Sequence, residues 1–365
     1  MTIQVHPTIS HNKLKVWVLA PYVLTHDANL DYYYDFSQSI AEYTAVFTQL
    51  NITWQWQPVT MHDYETIIDA IAAERDLQAI SPIVFNLCDG DEVNGTPGIS
   101  VVKLLVAKQL MYTGADADFY AITTSKIDMK RAFDAANIAT PKWKAILQPH
   151  QLITDIFSQL GTPIIVKPAV SGGSMGIGIK NVVSTVEQLE TQVLLMFQGY
   201  RGWQLTTDGL IAESFVNGPE FTVFIVGNYN DKTNAIIYPP VERVFHESLP
   251  ENEKFLSFDR LWEIYEDENP MPNAANFYEY AVPNVTLHLA IQQLAWDAYV
   301  AVKGTGYTRV DIRMDKVTGA FYVLEVNAQC GISEDENFTS IGAILKFANV
   351  SFTELVVQII NNCNR

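Results

Sequence analysis

An α/β chain of three lobes, turning to α+β near its C-terminus, is predicted by three observations. Strand and helix patterns alternate over residues 15–86, a Gly-rich loop follows the buried-strand pattern at 164–168, and an acidic hairpin lies near the C-terminal end. Residues 15–20 read as a strand, 36–50 as an amphipathic helix, 54–59 as a strand, 63–73 as a helix and 83–86 as a strand. This order predicts an N-terminal parallel-sheet domain over residues 1–120, with a ligand crevice at the strand ends. A second lobe is expected over 121–211, with helices at 126–136 and 185–197, and a third over 212–365. The longest apolar helix, 285–302, carries His288, Gln292, Gln293 and Asp297, which predicts packing on one face and no membrane span.

In the hairpin, Arg309-Val310-Asp311-Ile312-Arg313 and Val323-Leu324-Glu325-Val326-Asn327 flank a turn at Thr318-Gly319. Both segments alternate as strands do, so Asp311, Glu325 and Asn327 can share one face. Hard oxygen ligands from so few side chains, with room for phosphate oxygens, suit Mg²⁺ shared with a nucleotide better than a closed Ca²⁺ cage. An ordinary hairpin with acids on its wet face has the same pattern.

Ile164-Ile165-Val166-Lys167-Pro168 leads into Ser171-Gly172-Gly173-Ser174-Met175-Gly176-Ile177-Gly178. Glycines let backbone N–H groups wrap phosphate oxygens, and Lys167 adds a point charge. The lysine precedes the glycines, so this is not a P-loop. Gly178-Ile179-Lys180 reads as a second strand, giving a hairpin lid, although a flexible surface turn reads the same way. Between the lid and the acidic hairpin, residues 212–223 form two strand-like pieces around Gly218-Pro219, with Glu213 and Glu220 at their ends. Such carboxylates can accept hydrogen bonds from an adenine amino group or from ribose hydroxyls; solvated strand ends carry them too.

In order and spacing these three segments resemble the ATP-grasp superfamily, and most closely its D-alanine:D-alanine ligase-like branch. The resemblance runs from about Ile83 onward and includes Phe85-Asn86-Leu87-Cys88-Asp89-Gly90, Tyr112-Thr113-Gly114-Ala115-Asp116 and Ser125-Lys126. It implies a three-lobed ATP-grasp architecture. It implies further that Lys126 and Lys167 contact ATP phosphates, that Gly172, Gly173, Ser174 and Met175 cover them, that Glu213, Ser214 and Val216 hold adenine, and that Glu220 holds ribose. Asp311, Glu325 and Asn327 would bind two Mg²⁺ ions, with Mn²⁺ able to substitute. Arg309 and the backbone of Gly331, together with Lys167, would serve catalysis by stabilising a tetrahedral oxyanion and the transferred phosphoryl group.

The implied reaction is amide formation through an acyl phosphate, which needs positioning and electrostatics rather than a covalent nucleophile. The chain contains no GxSxG, HExxH or paired cysteines at metal-ligand spacing. With 23 Lys plus Arg against 41 Asp plus Glu, its net charge of −18 disfavours nucleic acid and anionic membranes. The expected partners are therefore a small carboxylate and an amine, with a homodimer left open. Cys88, Cys330 and Cys363 are unpatterned and no basic-then-apolar leader is present, which predicts the cytoplasm.

Departures from the family touch the substrate ends. Its Gly-Gly-x-Ser-x-Glu turn after the first strand is replaced by Pro21-Tyr22-Val23 and then Asp31-Tyr32-Tyr33-Tyr34-Asp35. Tyr33 falls near the place of the ammonium-gripping Glu, Asp31 or Asp35 is the available substitute charge, and Cys88 takes the place of a His. Beyond Asn327-Ala328-Gln329-Cys330-Gly331-Ile332-Ser333, an acceptor-binding segment reads Glu334-Asp335-Glu336-Asn337. Residues 245–283 read as a long covering loop in which Lys254 and Arg260 are the cations able to reach phosphates. The leading expectation is a ligase joining an amino acid to a small carboxylate in specialised metabolism, for example of the mycosporine-like amino acid type, with D-alanine neither preferred donor nor acceptor. A small-molecule kinase, a D-alanine:D-alanine ligase proper and a nucleotide-binding regulator without turnover are the alternatives.

Overall fold

The computed structural model describes residues 14–23, 35–78, 80–151, 155–200, 202–335 and 337–364. The expectations placed on Asp31 to Tyr34 and on Glu336 lie outside these residues.

The first domain alternates β1 (Leu14–Pro21), α1 (Ser37–Leu50), β2 (Thr53–Val59), α2 (Tyr64–Gln78), β3 (Ser81–Asn86), α3 (Ile99–Ala107) and β4 (Met111–Tyr112). Its strands form a parallel sheet in the order β2-β1-β3-β4. Apolar runs such as Val16-Trp17-Val18-Leu19-Ala20 suit strands covered on both faces, and Val16, Val18, Leu19 and Ala20 are fully buried.

Two helices, α4 (Ala117–Thr124) and α5 (Lys126–Ala135), lead into the middle lobe. That lobe holds β5 (Trp143–Ile146), α6 (Ile156–Leu160), β6 (Ile164–Pro168), β7 (Val182–Val183), α7 (Val186–Phe197) and β8 (Leu210–Ser214). Its sheet runs β5-β8-β6-β7, antiparallel throughout. The strand β8 crosses the expected boundary at 211/212 and pairs with β5 and β6, so residues 212–214 belong to the middle sheet. The expected second lid strand at Gly178-Ile179-Lys180 is not formed. Residues Ile179–Asn181 make a 3₁₀ turn and the strand follows at β7. The cause is Asn181: its Oδ1 accepts from Gly178 N at 2.8 Å, and its Nδ2 donates to Val166 O and Gly176 O at 2.7 and 3.0 Å. A side chain thus takes bonds that a strand ladder would have made.

The third lobe contains β9 (Glu220–Asn228), β10 (Ile236–Ile237), β11 (Val241–Phe245), α8 (Phe258–Trp262), β12 (Tyr278–Ala281), α9 (Val285–Ala301), β13 (Thr305–Met314), β14 (Phe321–Ala328), α10 (Ser340–Ala348) and α11 (Phe352–Asn361). Its sheet is ordered β12-β11-β9-β13-β14, with β10 added on β9. Residues 245–283 carry a small core of their own, built on Phe245, Leu249, Met271 and Phe277, so this stretch is ordered structure rather than an open loop. One apolar core joins the first and third lobes through residues such as Leu19, Val84, Phe119, Tyr299, Val310 and Val326. Gly306 (φ +70°) lies so close to Gly114 that a Cβ would sit 2.0 Å from its carbonyl oxygen, which explains a glycine at this crossing. The tail returns to the first sheet, where Asn364 N donates to Tyr112 O at 2.7 Å and Tyr112 N to Asn364 O at 3.1 Å. Among the described residues no single helix is long and apolar enough to cross a membrane; α10 and α11 meet at 102° and are largely buried.

Candidate active site

The hairpin β13–β14 places Asp311 opposite Glu325 and Arg309 opposite Asn327, two rungs apart on one face. A register shift just past Asp311 lets this pairing coexist with the one toward the turn, Ile312 opposite Val323. Asp311 is buried; its Oδ1 accepts from Thr222 at 2.8 Å and its Oδ2 from Arg309 Nε and Asn327 Nδ2, both at 3.1 Å. Glu325 is half-buried and makes no side-chain hydrogen bond among the described residues. Two carboxylates and an amide on adjacent rungs are a hard-oxygen set that fits Mg²⁺ shared with phosphate. Among the described residues no group of three His, Cys, Asp or Glu could hold a metal alone.

Against this hairpin lies α5. Its Met129 Sδ accepts from Val326 N at 3.3 Å, and its first residue, Lys126, bonds through N to Ala169 O at 2.7 Å and through Nζ to Ser171 O at 3.0 Å. Lys126 therefore stands between the start of the Gly-rich loop and the acidic face. Burial lowers its affinity for a proton, and Glu325 opposes that. One helical turn on, Lys130 is fully buried and pairs with Glu213 Oε1 at 2.7 Å; Lys167 on β6 pairs with Glu213 Oε2 at 2.6 Å. Burial alone would raise the Glu213 carboxyl, but the two ammonium groups outweigh it and hold the value at about 2. Lys126, Lys167, Glu213 and Glu325 are thus gathered into one constellation from four segments far apart in the chain.

Glu220 begins β9 and is clamped by Arg243, through Nη1, and by Arg313, whose Nε donates to Oε2 at 3.1 Å. Arg313 Nη1 also takes Val216 O at 3.0 Å, while Ser214 Oγ donates to Leu160 O at 2.5 Å. The segment expected to hold adenine and ribose is therefore braced by internal bonds. Lys130, Arg243 and Arg313 were not singled out from sequence. Lys130 lies at the i+4 position from Lys126, and Arg313 closes the Arg-Val-Asp-Ile-Arg motif itself, which are the signals available.

The Gly-rich loop is held from the far side. Ser174, Gly173 and Gly176 adopt left-handed φ of 61°, 54° and 73°; Met175 N bonds to Gly172 O at 3.0 Å. Trp262 Nε1 donates to Gly173 O and Phe258 N to Ile177 O, each at 2.8 Å, so α8 docks on the loop. Lys254 pairs with Glu251 at 2.6 Å and Arg260 with Glu253 at 2.7 Å, which turns both cations toward local acids. Gly331 is exposed, and a Cβ there would meet open space. Cys88 is buried, its thiol pushed up well above the usual range by that burial, and Asp35 accepts from Ser37 N at 2.9 Å at the start of α1.

Lys126 and Lys167 beside the Gly-rich loop, set against an acidic hairpin on this three-sheet frame, are the arrangement that the ATP-grasp resemblance implies. A family model described as D-ala D-ala ligase C-terminus matches residues 133–361, more than half of the chain. The D-alanine–D-alanine ligase of Marinobacter nauticus is 30% identical over 251 residues, covering 69% of this chain and 66% of that one; the enzyme of Xanthomonas axonopodis pv. citri is 31% identical over 255 residues, covering 68% and 69%. The crystal structure of the Bacillus anthracis D-alanine–D-alanine ligase complexed with ATP superposes with a TM-score of 0.65 at 17% identity, over 95% of this chain and 96% of that one. At that identity the likeness concerns the fold. The chain belongs to the D-alanine–D-alanine ligase family of ATP-grasp enzymes, which form carbon–nitrogen bonds.

Proposed function

We propose that the protein joins a carboxylate to an amine at the expense of ATP, through an acyl phosphate. The observation that best supports this reading is the packing of α5 on β14, which sets Lys126 of the Gly-loop side against Glu325 of the hairpin. A donor carboxylate oxygen attacks the γ-phosphorus, the bond to the β–γ bridging oxygen breaks, and ADP leaves with that electron pair. The amine then attacks the acyl carbon, phosphate departs, and the amine proton is released. Lys126, Lys167 and the backbone from Gly172 to Met175 bind phosphate oxygens, while Arg309 and the Gly331 N–H face the oxyanion. Asp311, Glu325 and Asn327 would hold the two Mg²⁺ ions, which neutralise charge on the phosphates.

The substrates in this proposal are not two D-alanines but an amino acid and a small carboxylate of specialised metabolism, of mycosporine type. The loss of the gripping Glu turn and the acids at Glu334 and Asp335 support it, since carboxylates at the acceptor end repel a carboxylate-bearing acceptor. The names of the curated relatives favour the second reading, a D-alanine:D-alanine ligase proper. ADP release with D-alanine alone decides between them. Efficient turnover of D-alanine selects the second reading, and hydroxylamine trapping of an acyl hydroxamate from another acid supports the first. A stable phosphorylated alcohol would instead mark a kinase.

A further inference from the structure

Glu42 has an unusual position for a helix carboxylate. It lies on the inner face of α1, is 5% exposed, and has one oxygen, Oε2, buried with no hydrogen-bond partner. The other oxygen, Oε1, accepts from Ser333 Oγ at 2.6 Å and from Gln38 Nε2 at 3.1 Å. An unpaired buried carboxylate oxygen is costly unless something supplies a donor. Burial accordingly raises the Glu42 carboxyl above its usual range.

The residue forms part of the floor of a cavity of about 560 Å³, whose walls carry Gln38, Glu334, Asp335 and Asn337. Within it, the exposed Gln38 side chain places one nitrogen, Nε2, within 3.4 Å of three oxygens: Glu42 Oε1, Ser333 Oγ and Asp335 Oδ2. The oxygens of this cavity already converge on an N–H donor, and that donor sits on an exposed side chain. An N–H donor is thus the kind of group these oxygens already accept from, which suits the cavity to a nitrogen cation. The cavity also adjoins the reaction end of the site. Glu334 follows Gly331 by three residues, a Cα separation of at most about 11 Å, and Cys330 lies beside Arg309.

We propose that this cavity binds an ammonium or guanidinium at the far end of the acceptor substrate, with the Glu42 carboxylate as its buried partner and Glu334 and Asp335 at its rim. The acceptor is then an amine carrying a second cationic group, a diamine or diamino acid about as long as ornithine or lysine. This rests on the ligase reading and deepens it. Asp35, the other described acid considered for this end, is already committed to the start of α1, whereas Glu42 holds an open acceptor.

Isothermal titration calorimetry with Mg²⁺ and a non-hydrolysable ATP analogue tests the site without turnover. Lysine, ornithine and putrescine are titrated against alanine, into the unmodified protein, Glu42→Gln and Glu334→Lys. The expected result is a basic ligand bound at least tenfold tighter than alanine, with that preference falling tenfold or more in both variants. Glu334 is exposed, so Glu334→Lys keeps the test valid should Glu42→Gln fail to fold. Equal affinity for lysine and alanine, or a preference unchanged in the folded variants, overturns the proposal. ADP release over acid–amine pairs runs alongside. Glu42-dependent lysine binding with no ADP from any pair upholds the cavity and sinks the ligase reading. ADP release with monoamines, together with lysine binding indifferent to both substitutions, upholds the ligase reading and sinks the cavity.

Discussion

Lys130 Nζ lies 2.7 Å from Glu213 Oε1, and the two side chains are 1% and 2% exposed. The second carboxylate oxygen belongs to Lys167, so one buried anion neutralises two cations from different elements. Coulomb attraction at this depth has to offset the desolvation of all three groups, and it does so only while the set is complete. The consequence is a hub tying α5, β6 and β8 together beside Lys126, at the start of the Gly-rich loop.

Removing the anion is therefore expected to cost more than removing a surface pair. Glu213→Gln should lower the unfolding free energy by about 3–5 kcal/mol, the range for a broken buried ion pair. Urea denaturation measures it, and the double variant with Lys130→Met should recover part of the loss because it removes one stranded ammonium. A single variant as stable as the parent would contradict the hub.

Acid should undo the same contact. The folded Glu213 value of about 2 lies below the usual 4.5, so the stabilisation is complete above pH 4.5 and is lost as pH falls from there toward 2. The shift corresponds to roughly 3 kcal/mol. Stability curves of the parent and Glu213→Gln should converge over that window, and parallel curves would count against it.

Much of the site is legible in the sequence because its chemistry sits on regular strands. The alternation in Arg309 to Arg313 and Val323 to Asn327 is enough to put Asp311, Glu325 and Asn327 on one face; the pairing of Asp311 with Glu325 depends on the register shift beside it. The lid is not legible in the same way: Asn181 substitutes side-chain bonds for a ladder, and periodicity cannot register that. Lys130 reads as one more helix cation until β8 brings Glu213 beside it, and Glu42 reads as solvated until Ser333 folds over it. Both depend on partners distant in the chain, which local pattern does not encode.

At the proposed metal site, Glu325→Gln should keep the fold and reduce ADP formation by roughly a hundredfold or more at saturating Mg²⁺, the scale of losing one pre-organised charge at a transition state. Circular dichroism confirms the fold and a coupled ADP assay reads the rate. Near-normal rates would remove Glu325 from the metal site.

The docking of α8 on the lid predicts a subtler effect. Trp262→Phe deletes the Nε1–Gly173 O bond, worth about 1 kcal/mol net, so KM for ATP should rise about fivefold with kcat little changed. An unchanged KM would show that the lid is positioned without α8.

The pairing of Asn364 with Tyr112 has a bearing on biosynthesis. The edge of the first sheet at β4 is finished by a residue near the end of the chain, and α11 shares a core with α1 and β3. The N-terminal strands precede in synthesis the segments that cover them, so their outer edge and one face stay open until α11 and Asn364 have been made. An exposed parallel-sheet edge is a template for misassociation, so the nascent chain needs shielding over that interval, and deleting residues 362–364 should impair yield more than it impairs the chemistry.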